Sequence, residues 1–231
     1  MRRDKGVSCV TVKAEIHIGM EQLQFRWVVR PQNEIRSPRR MAAPSMDFRN
    51  TTSVADSTLL PLIEEAIAPW NVGRIRVRVR YSRGADFSGT CFYRDRRIHV
   101  NLGRHLTFPY RLGTNLGRVR SFATHWQRPI YQLVLNAPYQ LVYFIFLHEL
   151  FHLLVETAKR NTRQKEAMCD RFAARALVDG HGVVVTTKEG MLVPRDAWDF
   201  QDLERFVAAA RIPAAAIPAP RRALQIARAR G

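Results

Sequence analysis

Two histidines and a glutamate interrupt an otherwise apolar stretch between Leu141 and Glu156. His148 and His152 are four residues apart, so on a helix their imidazoles share one face at a separation of roughly 6 Å. That spacing lets both rings reach a single zinc ion. Glu149 directly follows the first histidine and can hold a metal-bound water and take its proton. Because histidine and glutamate are costly in an apolar segment unless paired or metal-bound, the stretch predicts a buried site.

Two other interpretations of this stretch require no chemistry. An amphipathic core helix could carry the same histidines with their nitrogens satisfied by hydrogen bonds. A transmembrane helix is also long enough, since residues 137–155 approach the ~20 that a bilayer requires. However, Gln140 and the three site residues interrupt the run, and ionisable groups are expensive at membrane depth. We therefore expect a buried helix that carries a metal site, and no membrane contact.

A second polar pair follows in a segment without glycine or proline from Thr162 to Leu177. This segment predicts a second helix with Thr162 as its N-cap. A catalytic zinc needs a third protein ligand and an open position for water. Glu166 and Asp170 are four residues apart and share one face of the helix. We assign Glu166 to the zinc and expect Asp170 to accept a hydrogen bond from a ligand histidine, which fixes its tautomer.

Two further side chains compete for the metal. Glu156 continues the same face of the first helix, but it lies about 12 Å along the axis from His148, which one ion cannot easily bridge. We interpret Glu156 as a residue that supports the site or as a solvated charge near the helix end. Cys169 could bind zinc as a thiolate, but one turn after Glu166 we interpret it as a small packing residue.

Together the two segments resemble the gluzincin metallopeptidases, in which H-E-x-x-H on one helix is completed by a glutamate on the next. The second segment begins at Glu166 and reads E-x-x-C-D-x-F-A-A, similar to the small ImmA/IrrE-type metallopeptidases. The resemblance implies that Glu166 is the third zinc ligand and that Asp170 supports a ligand histidine. It covers residues 141–177 and departs from the family at Cys169, where alanine is usual, and at Phe151, where glycine is usual.

Alternating apolar and polar residues predict a small sheet ahead of the metal helix. Residues 74–81 alternate arginine with isoleucine, valine or tyrosine, which is typical of a strand with one buried face. Residues 89–93 and 97–102 flank a short charged segment and predict a β-hairpin. The chain therefore predicts an α+β fold in which a small antiparallel sheet packs on a zincin-like helix pair that carries the metal site.

Segments around the predicted sheet could bind substrate. In zinc peptidases generally, an edge strand pairs with an extended peptide, and by analogy we take residues 98–102 as that strand. Residues 103–128 have no clear period and predict a long loop near the site. Four side chains are candidates to stabilise the oxyanion formed during hydrolysis, and the sequence does not distinguish among them: His105, Tyr110, His125 and Tyr131.

The chain of 231 residues is long enough for one good core but not for two full domains. We expect a weakly patterned N-terminal extension over residues 1–55, a metallopeptidase domain over residues 56–212 and a Pro/Ala-rich basic tail over residues 213–231. No apolar signal peptide is visible. Three cysteines are too few and too far apart for a disulfide framework, so we expect a cytoplasmic protein.

Arginine dominates the charge of the chain. The formal net charge is +17, and 32 of the 37 basic residues are arginines. Thirteen arginines lie between Arg74 and Arg128 against two aspartates, whereas charges balance over residues 129–200. This excess predicts a surface for nucleic acid or another polyanion, since guanidinium groups bind phosphates in bidentate fashion. An arginine-favouring genome, or a solvated strand face that protects an edge, would give the same pattern without a partner.

The sequence thus predicts a zinc-dependent metallopeptidase that hydrolyses a protein or peptide substrate. His148, His152 and Glu166 hold the zinc, and Glu149 acts as general base. A second hypothesis is a basic protein associated with nucleic acid, in which the metal site is structural or serves a DNA-localised protease. A third hypothesis, from family analogy alone, is a regulatory protease that cuts a repressor.

Overall fold

The structure, a computed structural model, describes residues 45–213 of the chain. Its first layer is a four-stranded sheet in the order β1-β2-β4-β3. The strands are β1 (Ser45–Asn50), β2 (Arg74–Tyr81), β3 (Phe87–Phe92) and β4 (Arg97–Leu102). β2 lies between β1 and β4 and runs parallel to both, and β3 runs antiparallel to β4. The β3–β4 hairpin is confirmed, but the prediction of an antiparallel sheet is wrong, because this sheet is mixed.

Helix α1 (Asp56–Ile67) explains the parallel pairing, because it carries the chain from the end of β1 back to the start of β2. Parallel neighbours require such a crossover connection. The helix buries Leu59, Ile63 and Ile67, which recur every four residues on one face. β1 precedes residue 56, where we expected the domain to begin, yet all six of its residues pair with β2. The compact unit therefore includes this strand.

The alternation in β2 divides the sheet into two faces. Ile75, Val77 and Val79 are buried, and the apolar residues of β4 continue the same face. Successive residues of a strand point to opposite sides, so the arginines of β2 lie on the other face. The register of β3 with β4 turns Gly89 and Cys91 towards the buried face. One side of the sheet therefore covers the core and the other meets solvent.

Helix α2 (Pro138–Thr157) is the centre of the core, and fifteen of its twenty residues are buried. It packs on β3 and β4 and also contacts α1. Its length and composition alone would allow it to cross a membrane. However, 72% of its most apolar window is buried within the protein, as in the core helix of a folded domain. Burial on nearly every side accounts for its apolar composition.

Helix α3 (Glu166–His181) packs along α2. We expected this helix to begin at Thr162, but residues before Lys165 form a turn, and Glu166 is its first helical residue. The helix ends where Gly182 adopts a left-handed conformation with φ of 64°, which glycine tolerates best. Its late start places Glu166 at the helix end nearest to the histidines of α2.

A second, antiparallel sheet has the order β5-β8-β9. Its strands are β5 (Tyr110–Thr114), β8 (Tyr131–Leu135) and β9 (Val184–Thr186), and a small hairpin pairs β6 (Arg120–Ser121) with β7 (Trp126–Gln127). The prediction of one long loop over residues 103–128 is therefore wrong. Gly113 lies inside β5, and a glycine in so short a strand obscures the alternation of apolar and polar residues.

The described chain ends with helix α4 (Leu203–Phe206) between short 3-10 turns.

Candidate metal site

His148 and His152 lie on one face of α2, where the helix passes between the sheet and α3. Their ring centroids are 5.1 Å apart, as the four-residue spacing predicts. The side chains are 16% and 11% exposed, respectively. Both rings are therefore largely desolvated while one side of the pair remains open.

Glu166 contacts both histidines from the first turn of α3. Its Oε2 lies 3.1 Å from Nε2 of His148, and its Oε1 lies 3.3 Å from Nε2 of His152. The Glu166 side chain is 63% exposed, so the cluster is open on the carboxylate side. The structure thus brings the three predicted ligands together, and both imidazoles point the same ring nitrogen at one carboxylate.

The two contacts of Glu166 have lengths typical of ligand atoms around one metal ion, and they involve different oxygens of the carboxylate. Two ligand atoms about 2.0–2.1 Å from a zinc ion at the tetrahedral angle lie about 3.3–3.4 Å apart. The two N–O distances of 3.1 and 3.3 Å are close to that value. They are also hydrogen-bond distances, so the carboxylate can accept a proton-bearing nitrogen when no cation is bound. Two imidazoles and a carboxylate are a donor set that zinc accepts.

Cys169, which we interpreted as a packing residue, also lies in this cluster. Its Sγ and one nitrogen of each histidine lie within 4.8 Å of one another. Burial and the charges of Glu166, Asp170 and Glu149 raise the pKa of the Cys169 thiol, so it stays protonated without a cation. His148, His152 and Cys169 therefore form a group that could hold a metal ion, and Cys169 is a second candidate for the third ligand.

Asp170 orients His148. Its Oδ1 lies 2.9 Å from Nδ1 of His148, the nitrogen turned away from Glu166. Its Oδ2 accepts hydrogen bonds from the backbone N–H of Asn115 at 2.7 Å and from the Asn115 side-chain amide at 3.3 Å. This is the contact expected for Asp170. Asn115 follows β5 and belongs to no motif, so the sequence provided no reason to select it. The sequence indicated only that residues 103–128, which include Asn115, lie near the site.

The two histidines differ in their surroundings. Burial opposes protonation of His148, but the hydrogen bond and charge of Asp170 and the charges of Glu149 and Glu166 outweigh it and raise its pKa. Burial and the charge of His148 lower the pKa of His152, with Glu166 acting in the opposite direction. Nδ1 of His152 is buried and has no hydrogen-bond partner within residues 45–213. Asp170 therefore fixes one imidazole and leaves the other less constrained.

Glu149 lies beneath the edge strand β3. Burial raises its pKa to about 7, the charge of His148 lowers it, Glu166 raises it further and a backbone hydrogen bond from Cys91 lowers it. A side chain at Gly89 would collide with the Glu149 carboxylate and with Ile145. The strand thus approaches the carboxylate closely because residue 89 has no side chain, a feature that the sequence did not identify.

The edge of the sheet beside the site is β3, not β4. We took residues 98–102 as the strand that pairs with substrate, but β4 is interior, with β2 on one side and β3 on the other. That assignment is wrong, because the chain returns from the hairpin to pair with β2. The backbone groups of β3 that face away from β4 are the ones at the sheet edge, next to Glu149.

Tyr93, the first residue after β3, is a further candidate for the oxyanion donor. Burial raises its pKa, and acidic groups of the cluster add to the effect: Cys91, Cys169, Glu149 and Glu166. Gly89 and Cys91 lie on the side of β3 that faces α2, and Tyr93 is the first residue after the strand. Within residues 45–213, none of the four expected candidates forms a hydrogen bond with the cluster. Tyr110 lies 3.5 Å from Asp86 instead, and His125 stacks on Phe122.

Glu156, the rival ligand, lies at the end of α2 and pairs with Lys159 at 3.5 Å. Its side chain is 37% exposed. This position agrees with its interpretation as a charge near the helix end and separates it from the carboxylate that spans the two histidines.

No protein-family model, no curated protein and no solved structure matches this chain. The fold and the site define an α+β protein with a histidine- and cysteine-containing group that could hold a metal ion. The likeness to gluzincins and to ImmA/IrrE-type peptidases therefore rests on the residue types and spacing of the two helices.

Proposed function

We propose that this protein is a zinc-dependent metallopeptidase of the gluzincin type. The observation that carries the proposal is the Glu166 carboxylate, which spans Nε2 of His148 and Nε2 of His152 at 3.1 and 3.3 Å. Burial raises the pKa of the neighbouring Glu149 to about 7, which suits a group that accepts and returns a proton. A structural site would not need such a glutamate beside its ligands.

In this proposal His148, His152 and Glu166 hold the zinc ion. Bound zinc supplies Lewis acidity, which polarises a carbonyl and lowers the pKa of water. Glu149 accepts a proton from the attacking water and delivers it to the nitrogen of the leaving amine. Asp170 keeps Nδ1 of His148 hydrogen bonded, so that Nε2 is free to face the ion.

Residues of the hairpin position the substrate. The free edge of β3 pairs with an extended peptide, because an unpaired strand edge offers N–H and C=O groups in the order that another strand needs. Gly89 lets β3 pack directly against the Glu149 carboxylate, so a peptide paired with β3 lies close to the general base. The hydroxyl of Tyr93 donates a hydrogen bond to the oxygen that gains charge. The substrate class is therefore a protein or peptide segment that can adopt an extended conformation.

Cys169 supports a second function. If Glu166 and Cys169 both bind the ion with the two histidines, four protein ligands close the tetrahedron, which is typical of a structural zinc site. A closed site leaves no position for water and predicts a protein without peptidase activity. The peptidase proposal therefore requires that one of these two residues stays unbound.

Metal substitution distinguishes the two functions. We expect one equivalent of zinc in the parent protein, and a cobalt-loaded protein without the near-ultraviolet thiolate band. We also expect Glu166→Ala to lose metal and Cys169→Ala to keep it. A thiolate band that disappears in Cys169→Ser, with zinc binding weakened in both Glu166→Ala and Cys169→Ser, would show that four protein ligands close the site and would overturn the peptidase proposal in favour of a structural site. Degradation of an unfolded protein substrate by the parent, but not by Glu149→Gln, completes the test.

A further inference from the structure

The face of the four-stranded sheet that points away from α2 carries six arginines. In register, Arg76 of β2 lies beside Arg97 of β4, and Arg78 lies beside both His99 and Arg49. We call the set the arginine face and define it by its six members: Arg49, Arg74, Arg76, Arg78, Arg80 and Arg97. Most of these side chains are exposed. Three adjacent strands thus present cations to solvent in aligned rows.

Little negative charge compensates this face. Asp47 binds Arg78 at 2.6 Å, and Asp95 binds Arg97 at 3.2 Å. The other four arginines have no acidic partner within residues 45–213, and Arg80 donates to the amide oxygen of Asn101. Like charges in neighbouring strands repel one another. The arrangement therefore opposes folding slightly and favours a ligand with several negative charges.

An aromatic ring lies at the edge of the same face. Phe92 is 36% exposed and occupies the position in β3 opposite Arg97. The guanidinium of Arg97 lies 4.4 Å above its ring, and the ring of His99 meets its edge at a centroid distance of 5.0 Å. An exposed ring beside guanidinium groups suits an unpaired base, which can stack on it. A duplex, whose bases are stacked internally, would not use this ring.

A polar recess of about 780 Å³ lies at the carboxyl ends of β2 and β4. Arg80, Arg83 and Arg104 line it, together with the hydroxyl of Ser88 and the amide of Asn101. Guanidinium, hydroxyl and amide groups are donors that bind phosphate oxygens. The recess continues the row of arginines along β2, so a chain of phosphates could run from the sheet into it.

From these features we propose that the arginine face binds single-stranded nucleic acid. Phosphates contact Arg74, Arg76 and Arg80, and an unpaired base stacks on Phe92. The face is opposite to the metal cluster, because neighbouring residues of β3 point to opposite sides and Gly89 faces Glu149. The proposal is therefore independent of the peptidase function, and both surfaces can be occupied together.

The test measures binding of a fluorescently labelled oligothymidylate by anisotropy over a range of salt concentrations. One variant carries Arg74→Gln, Arg76→Gln and Arg80→Gln. A matched control removes the same charge elsewhere, through Arg111→Gln, Arg120→Gln and Arg163→Gln. We expect the first triple variant to reduce the slope of log K against log salt by about two, since each phosphate contact with a single strand contributes about 0.7. The control should keep most of the parent slope.

A third variant, Phe92→Ala, tests the stacking part and should weaken binding about tenfold with an unchanged salt slope. Thermal unfolding and zinc content are measured for every variant to show that the fold and the metal site are intact. Equal losses in the two triple variants, tighter binding to duplex than to single strand, or equal binding to anionic phospholipid vesicles would each overturn the proposal. Glu149→Gln should bind the oligonucleotide as the parent does.

Discussion

The two faces of the four-stranded sheet differ in how their charged side chains are paired. On the side of α2, acidic groups contact both histidines, and Asp170 alone makes three contacts with His148 and Asn115. On the arginine face, four of six arginines have no acidic partner within the described residues, and the rest form single ion pairs. Both faces meet in β3, where Gly89 faces the metal site and Phe92 faces solvent.

The difference follows from solvation. A buried charge is strongly destabilising without a partner, so the residues around it are constrained in type and position. A charge on an open face is solvated and adds little to stability, so its position is only weakly constrained by folding. Substitutions of charged groups should therefore have large and specific effects on one face and small effects on the other.

Glu149→Gln should abolish peptidase activity and keep the metal. The amide cannot accept the proton of the attacking water, and loss of a general base lowers the rate by about 10²–10⁴. Cleavage of an unfolded protein and zinc content are measured together. Glu156→Gln is the matched control, since it changes a glutamate of the same helix that pairs with Lys159, and its activity should stay near that of the parent. Activity in Glu149→Gln equal to that of the parent would show that another group is the base.

Tyr93→Phe should lower kcat by about a hundredfold and change KM little, because a lost oxyanion donor affects the transition state more than the bound substrate. Tyr110→Phe removes a hydroxyl directed at Asp86 and should have no such effect. This comparison separates Tyr93, whose pKa is raised in part by the charges of Glu149 and Glu166, from Tyr110, which the sequence suggested. A larger loss in Tyr110→Phe than in Tyr93→Phe would reverse their roles.

The same contrast explains what the sequence could predict of the site. His148, His152, Glu166 and Asp170 are costly polar residues at helical spacings, so their types and separations identified them, and the structure brings them together. Asn115 was not identified, because one of its two donors to Asp170 is a backbone N–H, which every residue except proline carries. Gly89 matters because it has no side chain, which lets β3 approach Glu149 closely. The sequence alone did not indicate that these two residues are in contact.

Long-range pairing limited the prediction of the fold. Strict alternation identified β2 with both ends correct, and the β3–β4 hairpin is local, so the sequence specifies it. The parallel partners of β2 are distant in sequence, and alternation does not state which strand lies beside which. The antiparallel prediction for the sheet and the choice of residues 98–102 as its edge are wrong for this reason. A capped helix or a hairpin is recognisable from neighbours in sequence, but the strand order is not.

Asp170→Asn should weaken zinc binding about 10–100-fold, the usual effect of removing the partner of a ligand histidine. The amide keeps the shape of the side chain but loses the charge that favours the proton on Nδ1 of His148. Asp95→Asn removes a carboxylate that pairs with Arg97 on the open side and should leave zinc affinity unchanged. Competition with a chelator of known affinity measures both. Equal affinities for parent and Asp170→Asn would break the proposed contrast between the two faces.

Gly89→Ala should destabilise the protein by about 1–3 kcal/mol, as overpacking of a close contact does. The added methyl group meets the Glu149 carboxylate and Ile145, so peptidase activity should fall as well. Gly84→Ala adds the same atom in a loop where no neighbouring atom lies within 4 Å, and its free energy of unfolding should change little. Urea unfolding of both variants measures the difference, and similar values would show that β3 does not press on the site.

Asp47→Asn should have the smallest effect. The hydrogen bond from Arg78 lowers the pKa of Asp47 below its ordinary value, so the ion pair stabilises the folded protein above the unfolded pKa of about 3.9 and loses that contribution as pH falls through the folded pKa. The pair lies on the open face, so its contribution is small and decreases with salt. Urea unfolding near neutral pH should show the variant slightly less stable than the parent. As pH falls through the folded pKa of Asp47 the two curves should converge, and a difference that grows on acidification would contradict this assignment.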